Sequence, residues 1–104
     1  MKKLNELQSR IGYDFKDIEL LKTALTHTSY ANEHKRRMIK HNERLEFLGD
    51  SVLSLIITTY LFKNLSSITE GELSRIRSTI VCENSLKMSG DQFDLSHDIY
   101  MGRG

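Results

Sequence analysis

Apolar residues recur along this chain at three- and four-residue spacing, the period of helices that each bury one face. Leu4, Leu7 and Ile11 mark a first helix that stops at Gly12, where a residue without Cβ makes a left-handed cap. Asp17 is placed to cap a second helix burying Ile18, Leu21, Ala24 and Leu25, which breaks at the polar run His27-Thr28-Ser29-Tyr30. A loop carrying Lys35, Arg36, Arg37 and Lys40 leads to a long helix from near Asn42 to about Lys63. Thr69-Glu70-Gly71-Glu72 reads as a capping box, the threonine accepting from a free amide while Glu72 reaches back. The helix behind it buries Leu73, Ile76 and Ile80, and a last helical stretch runs from about Glu83 to Gln92. With no proline, no repeat and no linker, the expectation is an all-α chain without an internal domain boundary.

The long helix carries the candidate chemistry. Glu43, Glu46 and Asp50 stand at i, i+3 and i+7 and share one face, where like charges repel unless a cation reverses the sign. At ~100° per residue, Leu45, Leu48, Val52 and Ile56 form an apolar stripe. Ile57 falls between Glu46 and Asp50 in azimuth, and Leu61 falls beneath Glu43. Phe47, Leu53, Leu55, Tyr60 and Phe62 fill most of the rest, so the helix is expected to be buried all round. Its carboxylates then face a cleft or an interface, paired or bound to metal. Gly49, costing roughly 1 kcal/mol in mid-helix relative to alanine, points to close approach of a backbone or a ligand. Carboxylate oxygens suit Mg²⁺ or Mn²⁺ more than zinc, and no His-Glu-x-x-His or Glu-x-x-His pattern is present. Spacing alone leaves an alternative open, in which Glu46 and Asp50 form salt bridges with Arg75 or Arg77.

Composition narrows the setting. At 104 residues the chain is one domain or part of one. Fifteen basic and 14 acidic residues give a formal charge of +1, so attraction to a polyanion must be local. The single cysteine, Cys82, excludes an internal disulfide and a Cys-rich zinc site, fits a reducing cytoplasm, and is expected to be a small buried hydrophobe. The basic start lacks an apolar segment behind it, so no signal peptide is expected. The most apolar run, Ser51 to Phe62, falls short of the ~20 residues that span a bilayer, and a soluble protein is expected.

The segment Asn42-Glu43-Arg44-Leu45-Glu46-Phe47-Leu48-Gly49-Asp50-Ser51-Val52-Leu53 resembles the signature of the ribonuclease III family. The resemblance extends to Phe15 with Leu20-Leu21, to Ala24-Leu25-Thr26-His27 and to Ser29-Tyr30. It continues through Glu70-Gly71-Glu72-Leu73-Ser74-Arg75-Ile76-Arg77, Val81, Asn84 and the glycine-rich turn begun by Gly102-Arg103-Gly104, so it covers essentially the whole chain. It implies the all-α nuclease-domain fold, with residues 1–104 as its N-terminal part. It also implies Mg²⁺-dependent (or Mn²⁺-dependent) hydrolysis of double-stranded RNA to 5′-phosphate and 3′-hydroxyl ends, in ribosomal and messenger RNA processing. By the same resemblance Glu46 and Asp50 are catalytic metal ligands, Glu43 is a supporting acid, and Phe47 enters a socket on the partner in a homodimer.

The family completes its site with an aspartate and a glutamate on a later helix; that helix and the family's double-stranded-RNA-binding domain are absent from residues 1–104, so the resemblance implies a truncated or partial gene product. Asp91, Asp94 and Asp98 come too early to replace those acids, and the chain alone is expected to be inactive. The alternative is a catalytically dead relative that binds RNA or a protein. Lys35, Arg36, Arg37 and Lys40 are candidate contacts to RNA phosphates, or simply a solvated loop. His27, Thr26 and Ser29 read as helix-end residues, and Arg75 and Arg77 either face phosphate or pair with Glu70 and Glu72 across a helical turn, the second being favoured.

Overall fold

The computed structural model describes residues 2–103 and is helical throughout, with no strand among the described residues. Its helices are α1 (Lys2–Ile11), α2 (Ile18–Ala24), α3 (Thr28–Glu33), α4 (Glu43–Asn64), α5 (Glu70–Ile80) and α6 (Glu83–Gln92). Short 3-10 turns cover Lys35–Arg37 and Leu95–His97.

The core lies at one end. Leu4 and Leu7 of α1 meet Leu21 and Leu25, and Ile11, Phe15, Ile18, Leu95 and Tyr100 close around them. Gly12 ends α1 at φ 72°, as the cap requires. The turn after it is held by Gln8, a buried polar residue with no periodic signal in the sequence. Its side-chain oxygen accepts from the Phe15 amide at 2.5 Å, and its carbonyl accepts from Gly12 and Tyr13. Asp17 caps α2 by accepting from the Glu19 amide at 3.1 Å. Ala24 is exposed rather than buried, because α2 ends there and only Leu25, one residue on, turns inward.

The polar run at 27–30 starts a helix instead of only ending one. The His27 ring nitrogen Nδ1 accepts from the Ser29 amide at 3.1 Å and so caps α3. Thr26 is no cap: its hydroxyl donates back to the Lys22 carbonyl at 2.7 Å. The end of the chain returns to this corner. Tyr100 donates to the Leu25 carbonyl at 2.8 Å and accepts from the His27 amide at 2.9 Å, forming an isolated parallel bridge. Gly102 then donates to the Ser29 hydroxyl at 2.8 Å. A Cβ there would stand 2.8 Å from the Ser29 carbonyl oxygen, so this close approach admits only glycine. Arg10 pairs with buried Asp98 and donates to the Phe93 carbonyl at 2.9 Å, tying α1 to the same returning segment.

Thr69 caps α5 through the Glu72 amide at 3.3 Å, but only half of the capping box forms. The Glu72 carboxylate binds Arg75 at 2.9 Å instead of reaching back. Leu73 and Ile76 are half-buried, and Ile80 is 39% exposed rather than buried, because α6 covers the end of α5 only in part. Cys82 is exposed at the N-cap of α6, not a buried hydrophobe, since a cap position lies outside the packed face.

The larger correction concerns α4. Only Leu61, 5% exposed, is buried, while Phe47 is 81%, Leu55 67% and Phe62 75% exposed. The apolar girdle is real, but α4 packs chiefly on α5, and α5 in turn on α6. The remaining sides of α4 have no cover among the described residues. Taken over its full length, α4 is also long and apolar enough to cross a membrane by length and composition, which the run from Ser51 to Phe62 alone did not suggest. A helix that a soluble domain covers on all sides has the same composition.

Candidate active site

Asn42 determines where α4 begins. Its amide group donates to the Ala24 carbonyl and its backbone N–H to the Thr26 carbonyl, both at 2.9 Å. These two bonds fasten the start of α4 to the end of α2, directly beside the start of α3. Glu43 and Glu46 therefore lie in the first turn of α4, where the positive end of the helix dipole favours carboxylates and offsets part of their mutual repulsion. Asp50 follows one turn on.

All three acids line one open cleft of about 430 Å³, with Phe47 on the same helix and His27 and Thr28 from α3. The shared face expected from spacing is thus present. None of the three carboxylates makes an ion pair among the described residues. Arg75 is engaged by Glu72, and Arg77 donates to the Thr58 hydroxyl at 2.9 Å instead of pairing with Glu70. The salt-bridge alternative for Glu46 and Asp50 is not formed, because Arg75 is held within its own helix and Arg77 meets α4 about two turns beyond Asp50, at Thr58. Gly49 meets nothing: a Cβ there would have open space within 4 Å, so no close approach explains this glycine among the described residues.

The donor set suits a hard divalent cation, being carboxylate oxygens with no ion pair among the described residues. It is also incomplete. Among the described residues no group of three His, Cys, Asp or Glu side chains is placed to hold one ion. Asp94 lies 3.2 Å from His97 and Asp98 is held by Arg10, so neither supplies the missing oxygen.

The basic loop goes elsewhere. Lys35, Arg36 and Arg37 form an exposed 3-10 turn ended by Met38 at φ 50°. Arg37 and Lys40 line a separate cleft of about 690 Å³ together with Lys22, Tyr30 and Tyr100. The fold does not bring these cations to the acids. It does bring His27 and Thr28 there, which sequence spacing could not reveal. The one available signal was the cap-forming pattern at His27, which marks a helix start but not what lies beside it.

Comparison with known proteins bears on this arrangement. A family model described as ribonuclease-III-like matches residues 17–104. Ribonuclease 3 of Listeria monocytogenes serotype 4b is 48% identical over 104 residues, which are 100% of this chain and 45% of that protein. Ribonuclease 3 of Clostridium tetani is 55% identical over 101 residues, 97% of this chain and 42% of that protein. A crystal structure of the nuclease domain of ribonuclease III from Campylobacter jejuni superposes with a TM-score of 0.86 at 39% identity, covering 99% of this chain and 66% of that one. A second structure of that domain, described as showing flexibility in a region involved in dimer formation, gives a TM-score of 0.85 over 94% of this chain and 64% of that one, again at 39% identity. The chain spans less than half the length of the curated relatives it matches.

Proposed function

The chain belongs to the ribonuclease-III-like family, and on that premise we propose that it forms part of an endoribonuclease that hydrolyses double-stranded RNA with Mg²⁺ or Mn²⁺. Its all-α fold is that of ribonuclease III nuclease domains. The observation that carries the reading is the convergence of Glu43, Glu46 and Asp50 on one cleft, none of them ion-paired among the described residues. Carboxylates so grouped repel one another, and that cost is recovered when a divalent ion binds.

Glu46 and Asp50 are the proposed ligands, and Glu43, on the same cleft, is the proposed supporting acid. A divalent ion held there would lower the pKa of the attacking water and stabilise the departing oxygen, giving 5′-phosphate and 3′-hydroxyl ends. Because these residues form only part of a ligand set, further oxygen donors complete it in the full-length protein. Exposed Phe47, on the rim of the same cleft, is the proposed anchor of a homodimer. The Campylobacter jejuni neighbour, whose nuclease domain has a region involved in dimer formation, is consistent with a homodimer. Lys35, Arg36, Arg37 and Lys40 are exposed and would meet phosphates away from the cleft, adding affinity without sequence information. The proposed setting is the cytoplasm, where ribosomal and messenger RNA precursors are processed.

The test is made in the full-length protein. Glu46→Gln and Asp50→Asn keep side-chain shape and remove charge. Each should abolish cleavage of double-stranded RNA in Mg²⁺ while RNA affinity changes little. A variant that cleaves at the wild-type rate would overturn the assignment.

A further inference from the structure

The acidic cleft has a donor as well as acceptors. His27 lines it from the start of α3, and its ring is fixed from behind by two chain segments. Nδ1 accepts from the Ser29 amide at 3.1 Å and lies 2.7 Å from the Ser29 hydroxyl, and that hydroxyl in turn accepts from the Gly102 amide at 2.8 Å. A backbone N–H can only donate, so Nδ1 must present its lone pair. The bond made by one ring nitrogen dictates the state of the other, and in the neutral ring the proton therefore sits on Nε2. Nε2 has no partner among the described residues, and none of the three carboxylates takes it. Asn42, also on the cleft, has one of its two amide N–H groups committed to Ala24.

We infer that His27 is a substrate-binding residue, whose Nε2–H donates a hydrogen bond to a nonbridging phosphate oxygen of the polynucleotide entering the cleft. This rests on the nuclease reading of the cleft. A strand of phosphates approaching three carboxylates meets repulsion, and an N–H donor held in place on the cleft wall offers an anionic oxygen a compensating hydrogen bond. The orientation is set before substrate arrives, so little ordering is needed on binding. The acids supply no such donor, and none of Lys35, Arg36, Arg37 and Lys40 lines this cleft, Arg37 and Lys40 lining the other one.

Two replacements separate this role from capping. His27→Asn keeps an acceptor near the position of Nδ1, so α3 stays capped, but its amide N–H groups fall short of the position of Nε2. His27→Gln extends an amide donor toward the position of Nε2 and gives up the cap. In the full-length protein acting on double-stranded RNA, His27→Asn should lower kcat/KM at least about tenfold, the scale of one hydrogen bond to a charged group, with the melting temperature held. His27→Gln should melt earlier yet recover most of that loss. Wild-type kcat/KM in His27→Asn overturns the inference and leaves the nuclease reading intact. If the wild-type protein cuts no RNA, the nuclease reading fails by itself, and a different measurement decides the role of His27. A short RNA duplex is then titrated without divalent ions while the ¹⁵N resonance of Nε2 is followed. A saturable shift at Nε2 supports the contact, and an unmoved resonance overturns it.

Discussion

Cys82 shows how one residue's position governs its chemistry. Standing at the N-cap of α6, it is exposed, with its thiol 3.4 Å from the Ser85 hydroxyl. Its pKa is lowered, first by the Ser85 side chain and then by the backbone amides of Ser85 and Asn84 at the start of the helix. These groups favour the thiolate, as helix N-termini do generally. Because that hydroxyl donates to the Thr79 carbonyl at 2.9 Å while the thiol is protonated, it must turn toward sulfur when the proton leaves. A lowered pKa places more thiolate at any pH below it, so alkylation by iodoacetamide should reach half its maximal rate at a lower pH than for an unstructured cysteine. Ser85→Ala should move that midpoint back up. An unchanged midpoint in Ser85→Ala would show that the backbone amides alone act on Cys82.

Among the elements, α4 combines the candidate site with the largest uncovered apolar surface. Its acids occupy the first two turns, and Phe47, Leu55, Tyr60 and Phe62 stand exposed along it. A monomer seldom leaves a contiguous apolar patch of this kind open, so the face calls for further protein. Phe47 lies beside Glu46, and in a twofold dimer the same patch is offered by both copies. Truncating a buried aromatic anchor commonly costs about 2 kcal/mol, roughly a thirtyfold weaker association. Sedimentation equilibrium of full-length Phe47→Ala against the wild type should show that loss. Equal dimer affinity would remove Phe47 from the interface.

The whole molecule is drawn out, 54 × 27 × 22 Å, with a radius of gyration of 16.5 Å. A compact chain of about 100 residues has a radius near 13 Å. The excess arises because the core gathers α1, α2 and the returning segment at one end while α4 and α5 extend from it. Contacts between distant parts of the chain therefore matter more than usual. Asp98 is 4% exposed and paired with Arg10, whose side chain is about one-third exposed at 34%. Asp98→Ala should cost about 2 kcal/mol, between the limits for surface and buried pairs. Urea unfolding would register it as a lower midpoint at unchanged slope. The open form bears on activity too. No three potential ligands among the described residues are placed to hold one ion, and Mg²⁺ demands near-octahedral order, so residues 1–104 by themselves should not cut double-stranded RNA in Mg²⁺ or Mn²⁺. Specific cleavage by the isolated chain that vanishes in Asp50→Asn would show that the catalytic centre is complete within it.

Much of the fold was legible because helix ends and faces depend on neighbours within four residues. The sequence placed α6 at Glu83–Gln92 and α4 to within a residue at each end. It also identified the caps at Gly12, Asp17 and Thr69, each of which acts on groups one turn away or less. The common face of Glu43, Glu46 and Asp50 followed from helical period alone. Apolarity of α4 was equally plain, yet its exposure was not, since composition records what a face prefers and only neighbouring elements decide whether it is covered. Likewise the missed burial of Gln8 and the real partner of Arg77 depend on atoms brought together by the fold. The decisive case is the cleft. Two hydrogen bonds from Asn42 to carbonyls at the end of α2 set the start of α4 against α3, and so bring His27 and Thr28 beside the acids while the basic loop turns to another cleft. Any carbonyl in the chain has the chemistry to accept those bonds, so the choice between them belongs to tertiary geometry.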